Sequence, residues 1–203
     1  MIEESECKEK IVLMLLGCSS VGKTSFIIRY TENIFQELRL STFGIDFMTK
    51  IIVFKGKQYK LIFYDTSGQE KYKSMAVNMI KNSDCILMMY DITDKKSYDS
   101  INEWMKSVKE AKGDDCPMIL LGNKMDLEDE REITEEEGIN LANEFGIEFF
   151  ETSNKNNINI KEAIDSILNT LIEKREKDSD TIISSSKLSI NKIKKKPQGT
   201  ACC

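Results

Sequence analysis

The sequence predicts an α/β fold, with a mostly parallel six-stranded sheet and helices on both faces. Runs of strand length alternate with segments of helical spacing between residues 10 and 174, the pattern of successive βαβ units. The composition suits a packed domain: 40% of the 203 residues are hydrophobic and 31% charged, with 10 Gly and 2 Pro. Those values exclude a collagen-like, proline-rich or wholly disordered chain, and no run approaches the ~20 apolar residues of a membrane span.

The elements follow in chain order. Residues 11–16 are continuously apolar and stop at Gly17, and 25–32 continue at helical spacing. Residues 47–54 and 58–64 read as strands joined by Lys55-Gly56-Lys57, a hairpin turn. Residues 85–90 are another buried-type run. Over 97–112, Ile101, Trp104, Met105 and Val108 share one stripe, which predicts a single helix. A strand is expected at 117–121. Thr134-Glu135-Glu136-Glu137 opens a helix over 134–145 with a capping-box pattern. A short strand at 147–151 and an amphipathic helix at 160–172 complete the domain. Beyond about Lys174 the periodicity fails and Ser, Lys and Asn dominate. One domain over 10–175 is therefore expected, between a flexible N-terminus (1–9) and a flexible basic tail (176–203).

Charge and cysteine usage narrow the function. The chain carries −5 in all, and residues 181–203 hold five Lys and no acid, which leaves −10 for the rest. An acidic body with a short basic tail does not fit a nucleic-acid-binding domain, so no nucleic-acid partner is expected. The tail suits an anionic surface such as the cytoplasmic leaflet of a membrane. Residues 1–10 contain four Glu and no apolar run, so no secretory signal is expected. The six Cys are scattered without a CxxC pair, and the chain has no His. A disulfide framework, a zinc site and a Ser-His-Asp or Cys-His triad are all disfavoured.

Gly17-Cys18-Ser19-Ser20-Val21-Gly22-Lys23-Thr24 fits the pattern G-x-x-x-x-G-K-[ST], after a predicted strand and before a predicted helix. Small residues let such a loop wrap so that backbone N–H groups face phosphate oxygens. Lys23 supplies a point charge between the outer phosphates, and the Thr24 hydroxyl can ligate Mg²⁺. The motif alone specifies a nucleoside triphosphate without saying which.

Three further segments narrow the choice. Asp65-Thr66-Ser67-Gly68-Gln69-Glu70 resembles the DxxGQ element of small GTPases, Asn123-Lys124-Met125-Asp126 matches their N-K-x-D element, and Thr152-Ser153-Asn154-Lys155 stands at their S-A-K element. The four motifs occur in the order and spacing of the Ras superfamily. Ser41-Thr42-Phe43-Gly44-Ile45-Asp46-Phe47, Tyr90-Asp91-Ile92-Thr93 and the closing Cys202-Cys203 resemble the Rab branch. The resemblance implies a P-loop NTPase G domain that binds GTP and GDP with Mg²⁺, hydrolyses GTP slowly without an activating protein, and acts as a switch in vesicle and membrane traffic.

The roles it implies run residue by residue. Ser20, Val21, Gly22, Lys23, Thr24, Ser25 and Gly68 would bind phosphate. Thr24, Thr42 and Asp65 would hold Mg²⁺, and loss of the γ-phosphate would release the restraints at Thr42 and Gly68. Gln69 would orient the attacking water, because its amide offers a donor and an acceptor together. Asp126 would accept two hydrogen bonds from guanine that adenine cannot give. Asn123 would tie that corner to the phosphate loop, and Ser153 would brace Asp126. Lys124 and Lys155 would cover the base from two sides, the Asn154 backbone would meet guanine O6, and Phe35 would cover the guanine edge.

Phe47, Tyr64 and Met79 match the Rab aromatic triad that reads effectors, with Tyr64 in place of Trp and Met79 in place of Tyr. Met75, Met79 and Ile80 are expected as a switch patch for partners. The implied partners are an exchange factor, a GTPase-activating protein, a GDP-dissociation inhibitor and effectors, around a monomer. Cys202 and Cys203 would carry geranylgeranyl groups, and two lipid chains give the stable anchoring that one does not. The expected location is the cytoplasm, with cycling onto the cytoplasmic face of an intracellular membrane. Ser20 for Gly, Ser67 for Ala and Asn154 for Ala depart from the pattern. Ser20, Tyr64 and Met79 keep open an alternative: a nucleotide-binding interaction module with little turnover. Intact Gln69 and Thr42 favour the active switch.

Overall fold

The computed structural model describes residues 9–36, 45–66 and 73–193. They form β1 (Glu9–Leu16), α1 (Lys23–Glu32), β2 (Ile45–Phe54), β3 (Lys57–Thr66), α2 (Lys73–Asn82) and β4 (Cys85–Asp91). α3 (Lys95–Asp99), α4 (Ile101–Lys112), β5 (Met118–Asn123), α5 (Glu135–Phe145), β6 (Glu148–Thr152) and α6 (Ile160–Ile193) follow, with a 3-10 turn at Glu128–Glu130. The chain divides into two compact units, Met1–Ile167 and Leu168–Cys203.

The first unit holds a six-stranded sheet in the order β2-β3-β1-β4-β5-β6. β2 is antiparallel to β3, and every other pairing is parallel. The turn chemistry explains the exception. Lys55 (φ 48°) and Gly56 (φ 77°) both take left-handed backbone, the two-residue geometry that matches the twist of a hairpin. A return through a helix brings the next strand back parallel.

Side chains alternate along a strand, so β1 serves two cores. Met14 and Leu16 join a cluster with Ile86, Met88 and Tyr90 of β4, Ile80 of α2, Ile101, Met105 and Val108 of α4, and Leu141 of α5. Leu13 and Leu15 are equally buried and point to the other face. On that face Tyr30 of α1 meets Phe63 of β3 edge-on, with ring centroids 5.5 Å apart. Within the first unit, α6 buries Ile160, Ala163, Ile164 and Ile167, the i, i+3, i+4, i+7 stripe of an amphipathic helix. Each fully buried aliphatic side chain contributes roughly 1.5–3 kcal/mol.

Four expectations are corrected. Residues 97–112 are not one helix: the apolar stripe holds, but Ser100 ends α3 and starts α4, its hydroxyl donating to the Ser97 carbonyl at 2.7 Å. α2 is an element that the weak periodicity of 73–82 does not announce. Ile80 is wholly buried in the core cluster and is no part of a surface patch, while Met79 is partly buried against that cluster. Finally, α6 runs on to Ile193, past the 160–172 expected for it. Residues 176–193 lack an apolar stripe, but they contain no Gly or Pro, and the next proline along the chain is Pro197. No described helix is long and apolar enough to cross a membrane.

Candidate functional site

The strand ends build the site. Register aligns Leu15 of β1 with Asp65 of β3, Asp91 of β4 with Asn123 of β5, and Asn123 with Thr152 of β6. The carboxyl ends of five parallel strands therefore share one rim, and the strand order runs outward from β1 in both directions, to β3 on one side and β4 on the other. In open α/β sheets that crevice is where ligands bind.

The phosphate loop links β1 to α1. A Cβ on Gly17 would lie 2.1 Å from the Met89 carbonyl oxygen, so only glycine lets the loop leave β1 against β4. Gly22, at φ 104°, caps α1 and accepts from the Phe26 N–H at 2.9 Å. Ser20 takes φ 66°, a left-handed conformation that costs a residue with a side chain roughly 1–2 kcal/mol. Lys23 is 4% exposed, and its ammonium donates to the Gly17 and Cys18 carbonyls at 2.9 and 2.6 Å. Burial lowers its pKa to about 8, with the Asp65 charge acting against the shift. The thiol of Cys18 donates to the Ser100 hydroxyl at 3.1 Å and moors the loop to the α3–α4 break. Val21 is buried, and Thr24 and Ser25 are half-buried in the first turn of α1.

The second loop region lies beyond β5 and β6. The Ser153 hydroxyl donates to Asp126 at 2.5 Å, so the two residues that the motifs pair are side by side. The Met125 N–H donates to the Thr152 carbonyl at 3.1 Å and ties the two segments at the backbone. Lys124, at φ 68°, forms an ion pair with the buried Asp91 at 2.5 Å. Asp91 also accepts from the N–H and hydroxyl of Thr93 at 2.9 and 2.8 Å.

Three side chains join the loops. Asn123 Nδ2 donates to the Val21 carbonyl at 2.8 Å, and its Oδ1 accepts from the Thr152 hydroxyl at 3.1 Å. Asn154 Nδ2 donates to the Gly22 carbonyl at 3.0 Å. Arg29 of α1 donates to the Asn154 and Lys155 carbonyls at 2.7 and 3.0 Å, and its guanidinium stands 5.7 Å from the centre of the half-buried Phe35 ring. Phe35 and Lys155 are thereby gathered beside the corner that holds Asp126. Sequence reasoning missed Asp91, Thr152 and Arg29. Asp91 lies within a quoted motif but carries no local sign of its partner, and Arg29 reaches residues more than a hundred positions away.

Thr24 and Asp65, from different elements, meet at 2.5 Å, the hydroxyl donating to the carboxylate. Hard oxygen donors of this kind fit Mg²⁺, which takes few protein ligands and fills its shell with water and phosphate oxygens. On the sheet edge, Phe47 of β2 lies directly across from Tyr64 of β3 and is 64% exposed, whereas Tyr64 is partly buried against the core. Thr42, Ser67, Gly68, Gln69, Cys202 and Cys203 lie outside the described residues, as does the side chain of Met75.

A glycine-bounded strand–loop–helix turn bonded to an Asn-Lys-x-Asp corner defines a P-loop nucleotide-binding domain. The sequence pattern of the Ras family matches residues 10–173. Human Ras-related protein Rab-3A is 39% identical over 169 residues, 83% of this chain and 77% of that protein. Dog Ras-related protein Rab-13 is 43% identical over 162 residues, 80% of each chain. Bovine Ras-related protein Rab-3C is 39% identical over 169 residues, 83% and 74% of the two chains. The chain belongs to the Ras family, as a Rab-type small GTPase, a guanine-nucleotide switch of vesicle traffic that hydrolyses GTP.

Proposed function

We propose that this Rab-type switch binds GTP and GDP with Mg²⁺ across the crevice between the two loops. The observation that carries the reading is the pair of asparagine-to-carbonyl bonds, which join a phosphate-loop motif to a base-recognition motif about a hundred residues away. Lys23 would set its ammonium against the outer phosphates. Asp126, held by Ser153, would accept from guanine and leave adenine without a matching donor pair. Thr24 and Asp65, with Thr42, would hold the metal, which when bound neutralises charge on the phosphates. Gln69 would orient the attacking water, and no general base is needed. Phe47, Tyr64 and Met79 would read regulators and effectors, and geranylgeranyl groups on Cys202 and Cys203 would anchor the chain to the cytoplasmic face of an internal membrane.

The test begins with the nucleotide that co-purifies, released by denaturation and identified by ion exchange. Near-stoichiometric GDP is expected, and adenine nucleotide would overturn the assignment of Asp126. In single-turnover assays Gln69→Leu should bind GTP normally and hydrolyse it far more slowly; unchanged stimulated turnover would remove Gln69 from the chemistry. Replacing Cys202 and Cys203 by Ser should move the protein from membranes to the soluble fraction of cells, and persistent membrane association would refute the anchor.

A further inference from the structure

Asn154 stands at a position where the small-GTPase motif has Ala, and its side chain does something alanine cannot. It is 4% exposed, and its Nδ2 donates to the Gly22 carbonyl at 3.0 Å, the carbonyl that also opens α1 through the Phe26 N–H. The neighbouring Val21 carbonyl is gripped the same way by Asn123. Two consecutive carbonyls of the phosphate loop are thus held by two asparagines from two different base-recognition segments. The Asn154 main chain is fixed in turn, because its carbonyl accepts from Arg29 Nε at 2.7 Å. Space at Gly22 is closed on both sides: a Cβ there would meet Asn123 Nδ2 at 2.3 Å and Asn154 Nδ2 at 2.8 Å.

The two clamps differ in one respect. Asn123 is satisfied at both ends of its amide, by Val21 and Thr152. Asn154 uses only its donor end, and its Oδ1 is buried without a hydrogen-bond partner. A buried acceptor without a partner is unfavourable, so the side chain's fold-level worth is small while its grip on the loop is direct.

We infer that Asn154 is a positioning residue for nucleotide retention, a second clamp that holds the phosphate loop closed on its ligand through the Gly22 carbonyl. The inference rests on the nucleotide-binding reading above. With the clamp removed, Gly22 keeps its bond to Phe26 but loses its tie to the β6–α6 loop, and the loop opens more often to release nucleotide.

The test is the release rate of a fluorescent GDP analogue from the full chain, chased with excess GDP in saturating Mg²⁺. Asn154→Ala, the family's residue, should speed release roughly five- to tenfold, the equivalent of about one net hydrogen bond. Asn154→Asp keeps the shape, deletes the donor and sets a carboxylate oxygen against the Gly22 carbonyl, so its release should be faster still. Melting temperatures should move little, since Ala also removes the buried orphan oxygen. Asn154→Ser, too short to reach Gly22, should match Ala and carries the test if either other variant fails to fold. Release at the wild-type rate from Ala and Asp alike would overturn the inference, as would equal rates for Asp and wild type, the signature of a residue that only fills space. Failure of the wild-type chain to bind the GDP analogue would instead refute the nucleotide-binding reading itself.

Discussion

The two loops that face the crevice are built on opposite principles. The base corner holds itself: Ser153 bonds Asp126, Lys124 pairs with Asp91, and Thr152 bonds Asn123, all side chain to side chain among neighbours at the ends of β4, β5 and β6 and in the turns just beyond them. The phosphate loop's own bracing is slighter: the Lys23 ammonium turns back to the Gly17 and Cys18 carbonyls. Its residues are small, two glycines and Ser20 sit at positive φ, and its Val21 and Gly22 carbonyls are gripped from elsewhere, by Asn123 and Asn154. A loop that must wrap a polyphosphate keeps its N–H groups free for the ligand, so its order has to be imported through its carbonyls. The base corner thus serves as a recognition surface and as scaffold for the other loop.

The harshest way to break this arrangement is Gly22→Ala. The new methyl would drive into both asparagine amides, at a backbone conformation alanine adopts only under strain. Strain of this kind costs ~1–3 kcal/mol, and displaced buried amides add a comparable amount. Affinity for GDP and for inorganic pyrophosphate should both fall by roughly a thousandfold in fluorescence competition, on the same reasoning. Wild-type affinity in that variant would mean the asparagine clamps carry nothing.

Asp126→Ala separates the two roles of the corner. Asp126 makes no bond to the phosphate loop and faces its partner Ser153. GDP affinity should fall about a hundredfold, since a site built around a base's hydrogen bonds discriminates strongly through them. Pyrophosphate affinity should stay put. A parallel loss for pyrophosphate would show that the corner cannot be altered without disturbing the loop. Asn123→Ala is the converse. It deletes two buried side-chain bonds, to Val21 of the phosphate loop and to Thr152 at the end of β6, worth about 1.4–2.3 kcal/mol together. GDP and pyrophosphate should weaken together, about ten- to fiftyfold, on the same estimate.

The physical division between the loops also decides what was legible in the sequence. Motifs whose parts are contiguous, such as Gly17 to Thr24 or Asn123 to Asp126, announce themselves because their spacing is set by one strand and one turn. The alternation of apolar runs revealed the sheet, and Lys55-Gly56 the single antiparallel pair. Interactions between loops left little trace. Arg29 reads as an ordinary helix cation until α1 is laid beside residues 154 and 155, and Asn154 reads as a substitution at a backbone contact until its amide is seen at Gly22. The misread elements share a cause as well. Ser100 breaks a helix with a hydroxyl-to-carbonyl bond that no stripe reports, and 176–193 is helical without one.

The mildest prediction tests whether these effects are local at all. Thr134 caps α5, its hydroxyl accepting from the Glu137 N–H at 3.2 Å while the Glu137 carboxylate accepts from the Thr134 N–H at 2.9 Å. Thr134→Ala should cost about 1 kcal/mol, seen as a melting temperature lower by roughly 2–4 °C. The Thr134 backbone N–H, and then its hydroxyl, hold the Glu137 carboxyl below its ordinary value. A depressed carboxylate stabilises above its unfolded pKa and loses that contribution as pH falls through the folded value, so the difference between variant and wild type should shrink in acid. GDP release should be unaffected, because the cap touches neither loop. If Thr134→Ala loosened nucleotide as Asn123→Ala does, the clamps would be indistinguishable from general stability, and the contrast between an imported and a self-made loop would lose its meaning.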